Sequence, residues 1–264
     1  SNVSHKSKLM ELFTIHTPTV QAIPLIANLP HSGLYIPPDI AVMMAPAHLQ
    51  SLPNSDWHLE KLYDFLPSLG ITVMQANYNR YVVDLNRQAK EPLSGNFWSA
   101  VVPLQTAFGQ PIYQTTPAPY QIQERINKYY TTYHNKLSQL IEQKVQEFGK
   151  VYLLDLHSFG GLIDDEVCLG NVNGKTCTED FINTVERAFI NQKYQVVKNK
   201  IFTGGYITRH YSENKSVETL QIEIKYQTYL SQQDLDKPLI PRWDVPNFHL
   251  SKVKLQQVIA DIAN

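Results

Sequence analysis

Short apolar runs that break off in polar residues punctuate this chain. Pro24 to Leu29 (PLIANL) leads into Pro30-His31-Ser32-Gly33, and Ile71 to Met74 (ITVM) is followed by Asn77 to Arg80. Val151 to Leu156 (VYLLDL) leads into His157-Ser158. Runs of this kind read as buried strands, while Leu220 to Ile224 (LQIEI) alternates apolar with polar as a half-buried strand does. Helical patterns lie between them. Trp57, Leu59, Leu62, Tyr63 and Leu66 recur at three- and four-residue spacing after Ser55-Asp56, either of which suits a cap. Pro119 to Phe148 predicts a long helix, with Tyr129, Tyr130 and Tyr133 among its core positions and Gly149 as its stop. Asp180 to Asn191 and Val245 to Ala263 predict two more. Strands alternating with helices predict an α/β fold on a mixed sheet. Ligands of such sheets gather outside the carboxyl ends of strands. PHSG and DLHS both fall there, so the pattern aims His31 and His157 at one crevice.

Bulk properties narrow the function. At 264 residues the chain is read as one domain spanning 1–264. With 43% hydrophobic and 18% charged residues it is rich enough in apolar surface to fold. A net charge of −1 excludes a global electrostatic drive toward nucleic acid or an acidic membrane. No apolar run reaches the length of about 18 residues that a membrane helix needs. Ser1 to Lys6 lacks the apolar segment of a signal peptide. Cys168 and Cys177 form no CxxC pair and read as two reduced thiols, which fits a cytoplasmic location.

Of nine histidines, His5, His16, His48, His134 and His249 read as surface or packing residues. His31 follows an apolar run and is bracketed by Pro30 and Gly33, the latter suited to close approach of a ligand. His157 stands two residues after Asp155. An open zinc site needs three protein ligands and a free position. The simplest third ligand, a Glu three residues after the first His, is excluded because that position is Leu34. Asp56 is the nearest good carboxylate, with helix capping as its alternative role, and Asp39 is a weaker candidate. Ser32 and Ser158 neighbour the two histidines, but neither sits in a Gly-x-Ser-x-Gly elbow.

Six motifs then occur in order: PHSG (30–33), Ser55-Asp56, NRYVVDLNR (79–87), DLHS (155–158), GGYITR (204–209) and Gln221-Ile222-Glu223. From about residue 24 to 230 the set resembles the N-formylglutamate amidohydrolase (deformylase) family, which is similar in fold to zinc carboxypeptidases and aspartoacylase-type deacylases. The resemblance implies a mostly parallel mixed sheet with helices on both faces. It implies one Zn2+ per chain, or another divalent ion, on His31 and His157; the His-x-x-Glu pair of the peptidase relatives is missing, and Asp56 stands as the candidate third ligand. It implies Glu223 as general base, Arg80 as oxyanion stabiliser, and Asn86 with Arg87 as the grip on a substrate carboxylate. Arg209 is the candidate for a second carboxylate, with Gly204 and Gly205 admitting the ligand. The segment after Tyr211, Ser212-Glu213-Asn214, departs from the Gly and Pro usual there.

The expected reaction is metal-dependent hydrolysis of N-formyl-L-glutamate to L-glutamate and formate, a step of histidine degradation. Its alternatives are a zinc hydrolase of another N-acyl amino acid or small peptide, and a non-catalytic metal- or anion-binding relative. A small acidic substrate is the expected partner, with no nucleic acid and no membrane; oligomeric state has no signature in the sequence.

Overall fold

Each of the four apolar runs falls on a strand of the computed structural model, which describes residues 9–264, and further strands join them. The strands are β1 (Phe13–His16), β2 (Leu25–Leu29), β3 (Thr72–Ala76), β4 (Ser94–Gly95), β5 (Val102–Pro103), β6 (Val151–Phe159), β7 (Val167–Gly170), β8 (Val196–Lys198) and β9 (Val217–Lys225). Expectations for the amino-terminal stretch 1–8, His5 included, fall outside the described residues. Seven strands make one sheet in the order β1-β3-β2-β6-β9-β7-β8, and β4 pairs with β5 apart from it. The central strands β3, β2, β6 and β9 run parallel, with β1 and β7 joined antiparallel. The expected mixed, mostly parallel sheet is therefore present.

Helices cover both faces. They are α1 (Pro38–Ala41), α2 (Pro46–Ser51), α3 (Leu59–Leu62), α4 (Pro119–Arg125), α5 (Thr131–Phe148), α6 (Glu179–Asn191), α7 (Tyr206–Tyr211), α8 (Gln232–Leu235) and α9 (Pro246–Ala263). One core packs α3, α6 and α9 against Leu29, Leu154, Leu156, Leu220, Ile222 and Ile224. The other packs α4, α5 and α7 against Ile26, Met74, Leu153 and Val217. The long helix predicted over 119–148 is continuous, with a π-helical turn at Ile126–Tyr130 joining α4 to α5. Gly149 ends it at φ 78°, a left-handed cap that glycine adopts without strain.

Two local expectations change. The helix expected over 57–66 shrinks to a single turn, α3, entered through His58 at φ 65° and without a side-chain cap. Ser55 and Asp56 thus lie in a buried loop and cap nothing. The strand carrying His157 runs on to Phe159, so that histidine sits within β6 and not beyond its end.

Strand order explains the position of the crevice. β2 connects to β3 on one side, and the chain then crosses to β6 on the other, so the winding reverses between β2 and β6. Outside the carboxyl ends at such a reversal the loops diverge and leave room for a ligand. His31 follows β2 and His157 lies near the end of β6. Among the described residues no helix is long and apolar enough to cross a membrane. Cys168 and Cys177 are free and buried.

Candidate active site

Alternation along the strands sorts the polar residues onto one face. β6 and β9 pair in parallel, with Asp155 opposite Gln221 and His157 opposite Glu223. β2 pairs Asn28 with Asp155. Asn28, Asp155, His157, Gln221 and Glu223 therefore share the face covered by α5 and α7. Ser158 projects to the opposite face, where its hydroxyl donates to the Tyr229 oxygen at 2.9 Å.

His31, Asp56 and His157 meet at this end of the sheet, all buried, with one ligand-capable atom of each within 4.8 Å of the others. Each histidine turns Nδ1 inward: His157 Nδ1 lies 3.2 Å and His31 Nδ1 3.9 Å from Asp56 Oδ2. Each donates its other ring nitrogen outward, His31 Nε2 to Asp84 Oδ1 and His157 Nε2 to Asp155 Oδ2, both at 2.6 Å. A carboxylate behind each imidazole fixes the tautomer that leaves Nδ1 free for a cation. Asp56 Oδ2 is buried without a hydrogen-bond partner, a costly state for a carboxylate oxygen unless a cation is bound. The donor set and the orphaned oxygen fit a divalent metal.

Asp84 and Asp155 entered the sequence reading only as parts of motifs. Both had a signal. Asp155 lies two residues from His157 on one strand, which puts it on the same face. Asp84 interrupts the apolar run Tyr81-Val82-Val83, where a carboxylate requires buried partners. Asn28 is a third such residue. Its amide donates to Asp155 Oδ1 at 2.8 Å, and its own Oδ1 accepts from Tyr133. Tyr133 and Tyr130 are thus core residues with working hydroxyls, since Tyr130 donates to the Arg87 carbonyl at 2.7 Å.

The loop carrying Asp56 is held from four directions. Asp56 N–H donates to the His31 carbonyl at 2.9 Å. The hydroxyls of Tyr226 and Tyr229 donate to the carbonyls of Ser55 and Trp57. Asn79 joins this loop to that of His31 by donating to Ser55 Oγ and to the Gly33 carbonyl. Gly33 itself is required by backbone: a Cβ there would lie 2.4 Å from the Asn77 carbonyl carbon. The close approach expected of this glycine is therefore to the chain and not to a ligand.

Arg80, Asn86 and Arg87 converge through Asp84. Arg80 Nη2 donates to Asp84 Oδ2 at 3.0 Å and its Nη1 to the Asn54 carbonyl at 2.9 Å. Asn86 N–H donates to Asp84 Oδ1, while Asn86 Oδ1 accepts from Ile207 N–H at the start of α7. Its Nδ2 makes no hydrogen bond among the described residues. Gly205 permits this contact, because a Cβ there would lie 2.4 Å from that Nδ2. The Nε groups of Arg80 and Arg87 are buried without partners. Arg209 is not brought into this cluster. It is exposed on α7 and bonds the Gly204 carbonyl and Thr203 Oγ1.

Charge balance follows from the packing. Burial, aided by Arg80, lowers the pKa of His31 against the pull of Asp84. Burial works the same way on His157, but Asp155, Asp56 and Glu223 outweigh it and hold that ring well above the usual histidine range. Burial also opposes ionisation of Asp84, yet His31, Arg87 and Arg80 keep it well below the usual carboxylate range. Burial pushes Glu223 up to about 8, resisted by His157. Glu223 Oε2, like Asp56 Oδ2, has no partner. A divalent charge nearby would favour the ionised form and restore a base.

Comparison with known proteins identifies what the chain is similar to. The sequence profile of the N-formylglutamate amidohydrolase family matches residues 23–230. N-formylglutamate deformylase of Pseudomonas aeruginosa is 32% identical over 225 residues, covering 80% of this chain and 84% of that protein. The deformylase of Pseudomonas putida is 30% identical over 253 residues, covering 90% and 93%. The crystal structure of N-formylglutamate amidohydrolase from Ralstonia eutropha superposes with a TM-score of 0.81 at 25% identity, covering 96% and 98%.

Proposed function

Taking as premise that the chain belongs to the N-formylglutamate amidohydrolase family, we propose that it hydrolyses N-formyl-L-glutamate to formate and L-glutamate. One observation carries this reading. Two buried carboxylate oxygens and two buried guanidinium Nε groups, all without partners, surround two histidines braced by carboxylates. Such a site is poor as a core and well suited to an anionic amide.

His31 Nδ1, Asp56 Oδ2 and His157 Nδ1 would hold one divalent ion, and their two-nitrogen, one-oxygen set suits Zn2+. When bound, the ion supplies Lewis acidity and a water that ionises near pH 7. Glu223 accepts the proton of the attacking water as its oxygen bonds to the formyl carbon. The same carboxyl returns that proton to the glutamate nitrogen as the C–N bond breaks. Arg80 stabilises the charge that develops on the carbonyl oxygen, a contact worth about 3 kcal/mol where such donors are measured. Asn86 Nδ2 and Arg87 grip the α-carboxylate, for which a planar fork is the matching shape. Arg209, exposed beside the buried cluster and tethered among the described residues to Gly204 and Thr203, is assigned to the side-chain carboxylate. A cytoplasmic location fits the two free thiols.

Formate release from N-formyl-L-glutamate, measured beside N-acetyl- and N-succinyl-glutamate, tests the proposal. Expected is clear preference for the formyl compound, loss of turnover on chelation and recovery with Zn2+. Equal or faster turnover of the acetyl compound overturns it, as does full activity in chelator.

A further inference from the structure

Phe97 touches both guanidinium groups of the site. It lies in the segment between β4 and β5, is 4% exposed, and belongs to none of the motifs that mark the family in the sequence. The Cζ atom of Arg80 stands over its ring, 4.4 Å from the centroid. Its carbonyl accepts a hydrogen bond from Arg87 Nη2 at 3.3 Å. Arg80 and Arg87 share one nearby carboxylate, Asp84, at 3.0 Å and 4.0 Å. Asp84 also accepts from His31. Asp56 and Glu223 act on the pair only through space. Two buried cations around one already engaged anion repel each other, and more than that one contact is needed to hold them.

Two ways of holding such a pair differ in consequence. A second carboxylate would neutralise the cations and compete with the substrate for them. An aromatic face attracts a guanidinium through its quadrupole and leaves the rim donors unoccupied. The second arrangement is present. Arg80 has its plane fixed by the ring and its two Nη groups fixed by Asn54 and Asp84, while Nε stays unpartnered. Phe97 is in turn held by an edge contact with Trp98, centroids 4.9 Å apart, and by Tyr81.

We propose that Phe97 is a positioning residue for the hydrolysis, its ring face orienting Arg80 toward the developing oxyanion while its carbonyl anchors Arg87. This rests on the deformylase reading given above. The ring acts on the group that works in the transition state, and the backbone carbonyl serves substrate binding. Weakening the ring alone therefore lowers kcat and spares KM.

The test is site-specific replacement of Phe97 with mono-, di- and trifluorophenylalanine. Shape is retained while the electron density of the ring face falls in steps. Expected is a stepwise fall in kcat reaching about tenfold, the scale of a buried cation–π contact, with KM, metal content and Tm nearly constant. Phe97→Leu gives the same loss and Phe97→Tyr restores it. A flat kcat across the fluorinated series, or a loss that tracks Tm, overturns the proposal and leaves only a packing role. A wild-type enzyme that releases no formate overturns the deformylase reading and this one with it. An active wild type with an unresponsive series overturns this one alone.

Discussion

On β2, β6 and β9 the residues facing α6 and α9 include Leu29, Leu154, Leu156, Leu220, Ile222 and Ile224. Those facing α5 and α7 near the strand ends are Asn28, Asp155, His157, Gln221 and Glu223. The strands and their alternation are shared. The first set is satisfied by contact alone, and any apolar residue of similar volume would serve. Each member of the second set depends on a particular partner atom, through chains such as Tyr133–Asn28–Asp155–His157. At the centre those chains stop short, leaving Asp56 Oδ2 and Glu223 Oε2 without partners. One face thus holds the fold, and the other gives up part of that stability to an incompletely satisfied polar site, as proteins commonly do where chemistry is done.

Glu223→Gln separates the two faces most sharply. Loss of a general base lowers kcat by about 10³-fold, within the range such residues supply. The fold should not suffer, because a buried carboxyl is replaced by an isosteric amide. The sign of the pH effect is opposite to that of a salt-bridged acid. Folded metal-free protein holds the Glu223 proton up to about pH 8, whereas the unfolded chain releases it near 4.5. Stability of the metal-free protein therefore falls as pH rises through that window, and Glu223→Gln flattens the slope. Steady-state kinetics and a Tm series against pH measure both; a variant that keeps wild-type kcat breaks the assignment of the polar face to chemistry.

Ile222→Ala, one residue away on the opposite face, should do the reverse. Truncating a fully buried isoleucine costs about 2–5 kcal/mol through lost burial and the cavity left behind. At a temperature where the variant remains folded, metal content and kcat should match the wild type. Denaturant unfolding beside activity assays checks this, and an equal loss of metal from the folded variant would mean the faces are not independent.

That separation was half legible in the sequence. His31 and His157 stand out because each ends or interrupts an apolar run, and period-two alternation says which strand residues share a face. Glu223 is harder, since alternation alone allows its polar face to look outward to solvent, whereas the fold buries it beside His157, Asp56 and Arg80. Asp56 was open between cap and ligand because capping depends on whether a helix begins at Trp57. His58 takes φ 65°, which no propensity scale assigns to that position, and the helix begins later. Asp84 and Asn28 act through partners 53 and 105 residues away, so no local window shows what they hold. Phe97 had no signal at all, because an aromatic residue in a loop reads as core.

Asp155→Asn probes the bracing of the polar face with a smaller change. An amide keeps the volume but removes the charge behind His157, and outer partners of this kind are worth about 10–100-fold in metal affinity. Competition with a chromophoric chelator measures it. Leu154→Ala, on the neighbouring position and the other face, should leave the affinity unchanged while lowering stability. Equal metal affinity in Asp155→Asn and wild type would show that His157 does not need its carboxylate.

His134 gives the smallest effect and the most specific one. It is half-buried on α5, where its two ring nitrogens bridge the Leu85 carbonyl at 2.9 Å and the Tyr211 hydroxyl at 2.6 Å. It thereby ties the Asp84–Arg87 loop to α7. Burial lowers its pKa to about 4, against the usual 6.5 of the unfolded chain. The unfolded state therefore binds the proton first on acidification, so this group's contribution is complete above pH 6.5 and is lost as pH falls through 4. After discounting for the partly exposed ring, about 1–2 kcal/mol is at stake. The loss should appear on one face only. Native-state hydrogen exchange at pH 4.5 should show amides of α5 and α7 opening before those of α6 and α9, whose packing on the sheet is apolar. His134→Gln should remove the pH dependence of that difference. Uniform opening of all four helices would mean that acid acts on the whole fold, and the polar face would then have no separate weakness of its own.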